Sequence, residues 1–371
     1  MKIICSKENL LKSINISLKA VPSKTTMNIL ECVLIDASTN QIKFTSNDME
    51  LAIETVVEGI VEEKGILAID AKIFYEIIRR LPDNDVIIHS DEKYVVTIDC
   101  EKAHFTIPGK SGEDFAYLPI VEKDEAMTIS QFTLKEMIRQ TLFSIAVNEN
   151  NRLMTGELFE IKDNYLRIVS LDGHRISIRR MELNKNYQDQ KVVVPGKTLS
   201  ELSKILSGSP EDPISVYFSK NHIMFEFDET VIVSRLIEGD YFRIDQMLSS
   251  DYETKLTVNK RELLDTLDRA TLLIREGDKR PIVVEIMNEV MDLRIETPFG
   301  AMEETIDIDK DGKDILIGFN PKFLIDALKV IDDETVDIYL VNPKAPCFIR
   351  NEEGTYTYLI LPVNISQNAY R

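Results

Sequence analysis

Two groups of residues in this 371-residue chain have types and spacings that could do chemistry. Ser170, Asp172 and His174 offer the hydroxyl, carboxylate and imidazole of a nucleophilic relay. All three fall within one short stretch, with no nucleophile-elbow pattern around them, so a strand-end turn is the plainer reading. The run DIDKDGKD, residues 307–314, sets acids at Asp307, Asp309 and Asp311 before Gly312, as a calcium loop does. The twelfth position of such a loop needs a bidentate Glu. Here it holds Gly318, and the flanks read as strands, so a polar hairpin is expected. Cys5, Cys32, Cys100 and Cys347 are scattered, with no CxxC pair and no nearby histidine pair. Buried reduced thiols are expected rather than disulfides or a zinc site. No phosphate-cradling or dinucleotide glycine pattern appears, and pairs such as Asp332-Asp333 read as turns. No catalytic residue, metal or cofactor is expected. An enzyme, such as a metal-dependent nuclease, would need carboxylates that converge from distant parts of the chain.

Composition narrows the classes further. The chain is 44% hydrophobic and 29% charged, as globular proteins are. No stretch approaches the roughly 18 apolar residues of a membrane span. The opening MKIICSKENLLKS has neither the apolar core nor the cleavage site of a signal peptide, so a cytoplasmic protein with no membrane partner is expected. The net charge of −19 argues against nucleic acid when taken alone, because phosphate binding relies on Lys and Arg. Screening, however, limits exposed charges to about 8 Å at physiological salt. The location of the charge therefore matters more than its total.

The elements that position these charges repeat three times. MKIICSKENLLKSINISLKAV (1–21), MTISQFTLKEMIRQTLFSIAV (127–147) and KLTVNKRELLDTLDRATLLI (255–274) each read as a short strand followed by an amphipathic helix. The pairs Leu10-Leu11, Met137-Ile138 and Leu263-Leu264 stand 127 and then 126 residues apart. A second set is ILAIDAKIFYEIIRRL (66–81), VVVPGKTLSELSKIL (192–206) and ILIGFNPKFLIDALKVI (315–331). Its closing residues Leu81, Leu206 and Ile331 are 125 apart each time. Strand–helix pairs alone are common; a shared period is not. Alternating segments such as NQIKFTSND, DNYLRIVS and ISVYFSKNHIMFEF fill the remainder with strands. An α+β chain results, with three domains at 1–122, 123–248 and 249–371, each with two helices packed on antiparallel sheets.

The helices and the remainder differ in charge. Six helix windows (7–21, 71–81, 134–148, 196–206, 260–274, 321–331) together carry +7 over 78 residues, which leaves −26 on the other 293. Helices gathered on one surface would attract phosphates while the rest repels them. The basic candidates are Lys12, Lys19, Arg79, Arg80, Lys135, Arg139, Lys197, Lys204, Lys322 and Lys329. Taken singly, each is more often an ordinary solvated position.

At this point the chain resembles a known family, the bacterial β clamp of the replicative DNA polymerase. The resemblance rests on the threefold repeat and on MKIICSKENLLKSI, GKSGEDFAYLP (109–119), LDGHRI (171–176), VVVPGK (192–197), IEGDYFRIDQML (237–248), IGFNPKFLIDAL (317–328) and YLILPVNI (358–365). These strings span the chain in order. The resemblance implies a DNA-clamp fold whose head-to-tail homodimer closes into a ring, with helices lining the hole and duplex DNA threaded through it without sequence readout. It adds Lys24 and again Lys197 to the DNA-facing positions. The implied partners are the polymerase catalytic subunit, an ATP-driven clamp loader, and repair polymerases, mismatch-repair and ligase-type proteins that carry short linear peptides.

The resemblance also implies a peptide cleft between the second and third domains. The matching positions are Met154, Leu171, Gly173, His174, Arg175, Ile176, Phe242, Met247, Leu359, Ile360, Leu361, Pro362 and Val363. Gly173 would let a ligand approach the backbone, and the methionines would give an adaptable wall. Unaided, DGHR reads as a turn and LILPV as a buried strand that Pro362 ends. Phe242 and Asn364 depart from the common pattern, and SQNAYR extends beyond Ile365. Dimer contacts map to Phe105 and Ile107 on one side and to Leu272 and Leu273 on the other, the plainer alternative being that the leucines are core of their own domain. A clamp-like paralogue with a regulatory role is the alternative, distinguished by a failure to bind polymerase peptides.

Overall fold

The computed structural model describes residues 1–116, 118–147, 151–275 and 280–365. Its six α-helices among these residues are α1 (Lys7–Ser17), α2 (Ala71–Arg80), α3 (Gln131–Arg139), α4 (Gly196–Ile205), α5 (Lys260–Thr271) and α6 (Pro321–Val330). The starts of α2, α4 and α6 keep the interval of 125 read from the sequence. Five helices begin where a side-chain oxygen takes an orphan N–H. Ser6 accepts from Asn9 N (3.2 Å), Asp70 from Ile73 N (2.8 Å), Ser130 from Thr133 N (3.1 Å), Asn259 from Glu262 N (3.0 Å) and Asn320 from Lys322 N (3.1 Å). At the start of α4, a side chain on Gly196 would meet Ile145 Cδ1 at 2.4 Å and Thr155 O at 2.9 Å, so only glycine fits there.

The chain forms two compact units. The first comprises Met1–Thr133 with Glu201–Leu236, the second Leu134–Ser200 with the chain from Ile237 onward. The middle repeat is therefore shared between them. In the first unit thirteen antiparallel strands follow one hydrogen-bonded order. Strand Thr230–Arg235 of the middle repeat pairs with Leu51–Val57 of the first, and the buried hydroxyls of Thr230 and Thr55 bond at 2.9 Å. Leu10 and Ile14 from α1 and Phe74 and Ile78 from α2 close over Ile3, Phe44, Ile69 and Ile88, all fully buried. Strand Ala103–Ser111 switches partner midway: 103–108 pair with Val95–Cys100, and 109–111 with Leu67–Ile69.

In the second unit twelve strands follow one order. Arg175–Arg179 pair with Tyr356–Ile360, so the second repeat joins the third through backbone hydrogen bonds. Leu263 and Leu267 from α5 and Leu324 and Leu328 from α6 pack over Leu256, Leu293, Ile317 and Cys347. Strand Gly300–Gly312 repeats the partner switch of Ala103–Ser111. Its residues 300–307 pair with Val290–Thr297 and its last five with Thr254–Val258. This corrects the hairpin expected at 307–314. Asp307, Asp309 and Asp311 alternate with buried Ile306 and Ile308, so they are the solvent face of a strand. Among the described residues, no cluster of His, Cys, Asp or Glu could hold a metal, and all four cysteines are free and buried.

Candidate partner cleft and DNA-facing helices

The LDGHRI segment ends one strand and begins the next. Asp172 Oδ1 accepts from His174 N (2.9 Å) and Arg175 N (3.1 Å), which closes a tight turn. Gly173 sits at the tip with φ +88°, open space beside it. The relay suggested by Ser170, Asp172 and His174 is not assembled. The Ser170 hydroxyl is buried and donates to Thr141 O (2.5 Å), while the His174 ring stacks on Phe323 at 6.0 Å.

The strand register distributes the candidate cleft residues over two faces. Ile176 lies opposite Leu359, and Arg175 opposite Ile360. Leu171, Ile176 and Leu359 belong to one buried cluster with Leu158, Val169, Tyr241 and Ile244, and half-buried Met154 and Phe242 pack against it. Met247 at 47% and Leu361 at 38% are exposed beside these positions in sequence. Leu361 N donates to His174 O (2.9 Å), and Val363 N to Gly318 O (2.8 Å). Backbone hydrogen bonds thus fix the chain after Ile360 beside the DGHR turn.

Two expected members lie elsewhere. Ile360 points into the core of the third repeat, because alternation along its strand sends it away from Leu359. Arg175 is buried, and each of its three nitrogens donates to an oxygen of the protein. Nε reaches Asp172 Oδ2 (3.0 Å), Nη1 reaches Asp326 Oδ2 (2.7 Å) and Nη2 reaches Phe143 O (2.7 Å). Its guanidinium lies 4.6 Å from the Phe323 ring centre and 5.3 Å from that of Phe143. Arg175 therefore positions the turn and offers a ligand little. Leu153, Leu248, Tyr241 and Phe323 were missed. Tyr241 and Leu248 fall inside the quoted IEGDYFRIDQML string, and that string was the available signal. Tyr241 meets Phe242 edge-on at 5.5 Å, and burial pushes its phenol pKa upward.

The DNA-facing candidates are mostly exposed on their helices, and acids of the same chain hold several of them. Arg79 and Arg80 share Glu76 (2.8 and 2.5 Å). Arg139 is held by Glu136 (2.6 Å) and Asp332 (3.2 Å), Lys204 by Glu201 (2.7 Å) and Lys329 by Asp268 (3.7 Å). Lys12, Lys24, Lys197 and Lys322 are exposed, whereas Lys19 and Lys135 are half-buried. Exposed pairs of this kind contribute about 0–1 kcal/mol, so a phosphate can replace the carboxylate at small cost. At the proposed dimer contact, Leu272 is 83% exposed and Phe105 39%. Leu273 and Ile107 are half-buried and pack on the cores of their own repeats.

Comparison with known proteins decides the family. Models of the DNA polymerase III beta subunit match most of the sequence in order: the N-terminal domain at residues 1–119, the central domain at 128–242 and the C-terminal domain at 245–364. The chain belongs to the DNA polymerase III beta subunit family. A beta sliding clamp from Staphylococcus epidermidis is 32% identical over 98% of this chain and 99% of its own length. One from Staphylococcus aureus is 31% identical over the same shares. A crystal structure from Eubacterium rectale, assigned to the same subunit, has 64% identity and a TM-score of 0.97, covering 99% of this chain and all of that one. The Bacillus subtilis DNA polymerase sliding clamp superimposes with a TM-score of 0.95 at 31% identity, over 98% and 99% of the two chains. The α+β clamp fold with three domains is thereby established, and so is the function. The chain is a sliding clamp, a non-catalytic processivity factor of DNA polymerase III.

Proposed function

We propose that two copies close head to tail into a ring that encircles duplex DNA and tethers the polymerase and repair proteins through short linear peptides. Domain boundaries near residues 122 and 248 fit this reading. So does a cytoplasmic location, where no membrane is needed; no helix among the described residues is long and apolar enough to cross one. A closed ring needs only weak, base-independent phosphate contacts, because strong ones would stop sliding. The modest charge excess on the helices and its pairing to acids of the same chain suit that requirement. Leu272 with Phe299 (54% exposed), and the open side of strand Ala103–Ser111 bearing Phe105, are suited to an interface between copies that removes an unpaired sheet edge. An ATP-driven loader would open such a ring.

The observation that carries the partner site is one apolar wall with both buried and exposed members. Leu171, Ile176 and Leu359 form its floor and Met154 and Phe242 its half-covered flank, and exposed Met247 and Leu361 follow Phe242 and Leu359 closely in the chain. Each Leu or Phe anchor of a peptide that is buried there contributes about 1.5–3 kcal/mol. Two anchors, less the ordering cost of a flexible tail, give affinity near micromolar. Fluorescence anisotropy with a labelled peptide from the cognate polymerase's C-terminus tests this. Met247→Asp with Leu361→Asp should abolish binding while the melting temperature holds. Undiminished binding refutes the cleft. A chain that never binds the wild-type peptide is instead the regulatory paralogue.

A further inference from the structure

We propose that Glu157 is a proton-held switch beneath the cleft wall, neutral while the central fold is intact and loosening that fold when it ionises. Glu157 lies on strand Gly156–Lys162, fully buried, and neither carboxylate oxygen has a hydrogen-bond partner. A lone buried charge is among the costliest groups a core can hold, and a carboxyl so placed keeps its proton instead. Its surroundings offer a carboxylate little: only the Thr141 hydroxyl comes near enough to favour the charge, and that hydroxyl is already committed to a backbone carbonyl. Across the sheet it faces Val194. The register that sets Leu158 opposite Val169 brings Ser170 to its other side, and the Ser170 proton is committed to Thr141 O. The Thr141 hydroxyl donates to Met137 O (2.8 Å). Burial accordingly raises the Glu157 pKa from 4.5 to about 8, and Thr141 eases it only partly. The Tyr241 phenol lies within electrostatic reach, and its proton is held more tightly by burial and then by the charge on Glu157.

Leu158 faces the cleft cluster, so alternation sends Glu157 to the opposite face of the same sheet, and the link to the partner site runs through Tyr241, whose phenol senses the Glu157 charge. Its hydroxyl bonds to Val169 O (3.3 Å), its ring packs in the cluster with Leu171 and Leu359, and it meets Phe242 edge-on. This half of the proposal rests on the cleft reading above. The sign follows from linkage. The unfolded chain releases the Glu157 proton near pH 4.5 and the folded chain only near 8. Stability from this group is therefore complete below pH 4.5, declines between the two values, and stops changing above about 8. Beyond that point the folded core itself carries the charge, and the wall loosens.

The test uses the full chain at fixed concentration, because association shifts apparent stability. Urea unfolding from pH 5 to 9 compares wild type, Glu157→Gln and Glu157→Leu. Relative to Glu157→Gln, the wild-type folding constant should fall by up to about tenfold per pH unit through the window and then level off. Glu157→Leu should exceed wild type at pH 7.5. Wild-type and Glu157→Gln curves that run parallel overturn the switch. Peptide anisotropy from pH 7 to 9.5 tests the second half: affinity should weaken several-fold above pH 8 in wild type only. Equal pH profiles overturn the link to the cleft. A peptide that binds no variant at any pH sinks the cleft reading instead, and the unfolding curves still judge the switch.

Discussion

Arg175 Nη1 donates to Asp326 Oδ2 at 2.7 Å, and this pair replaces one that the other repeats make within a single helix. Glu76, Glu201 and Asp326 are 125 residues apart, as are Arg79, Lys204 and Lys329. In α2 and α4 the acid holds the base three residues on. In α6 the acid has been taken by the turn that carries Gly173, and Lys329 reaches Asp268 on α5 instead. One helix of the third repeat is thereby tied to the proposed cleft.

Asp326→Ala should accordingly destabilise the chain by about 1–3 kcal/mol, since it leaves Nη1 of the buried Arg175 without its acceptor while Asp172 still balances the charge. Arg175→Met with Asp326→Leu should recover much of that loss. Urea unfolding of the two single variants and the double variant measures the coupling. Additive losses would show that the pair does not act as a unit.

The two sides of the C-terminal strand should answer differently to substitution. Leu359→Ala opens a void in the cluster and should cost about 2–4 kcal/mol. Leu361→Ala should leave stability within about 0.5 kcal/mol and lower peptide affinity. Calorimetric unfolding and anisotropy, run on both variants, separate the roles. A large stability loss at Leu361 would place it in the core.

Leu272→Glu should halve the sedimenting mass from twice 42.5 kDa without unfolding the chain, because Leu272 is mostly exposed. Leu273→Glu should also lower stability, since Leu273 packs on the third core. A Leu272→Glu chain that still sediments as a dimer removes that residue from the interface.

Glu76→Gln releases Arg79 and Arg80 from their shared acid. Retention of the clamp on circular DNA should then depend more steeply on salt, by about 0.9 in the logarithmic slope for each added phosphate contact. An unchanged slope would mean that these arginines do not meet DNA.

Much of the fold was legible because the same pattern was written three times. Leu81, Leu206 and Ile331 gave the period, and Ser6, Asp70, Asn259 and Asn320 stand where helices begin. The divided middle repeat was not legible. Its assignment depends on which strands Thr230–Ser234 and Arg175–Arg179 pair with, and alternation specifies a face, never a partner. The site was legible only through resemblance. Alternation could have separated Leu359 from Ile360, and could have marked IDIDKD as a strand face where a polar hairpin was expected. Nothing in the spacing announced that Arg175 would be held by Asp172, Asp326 and Phe143, which come from three separate elements. The sequence carries no mark of Glu157, because burial of a single position depends on what packs over it.

The central claim is that two copies enclose DNA topologically. The direct measurement loads the clamp onto nicked circular plasmid with its loader, removes unbound protein and then linearises the plasmid. Retention on the circle and loss within minutes of cutting is the predicted result. Equal retention on circular and linear DNA, or loss from both, would contradict it.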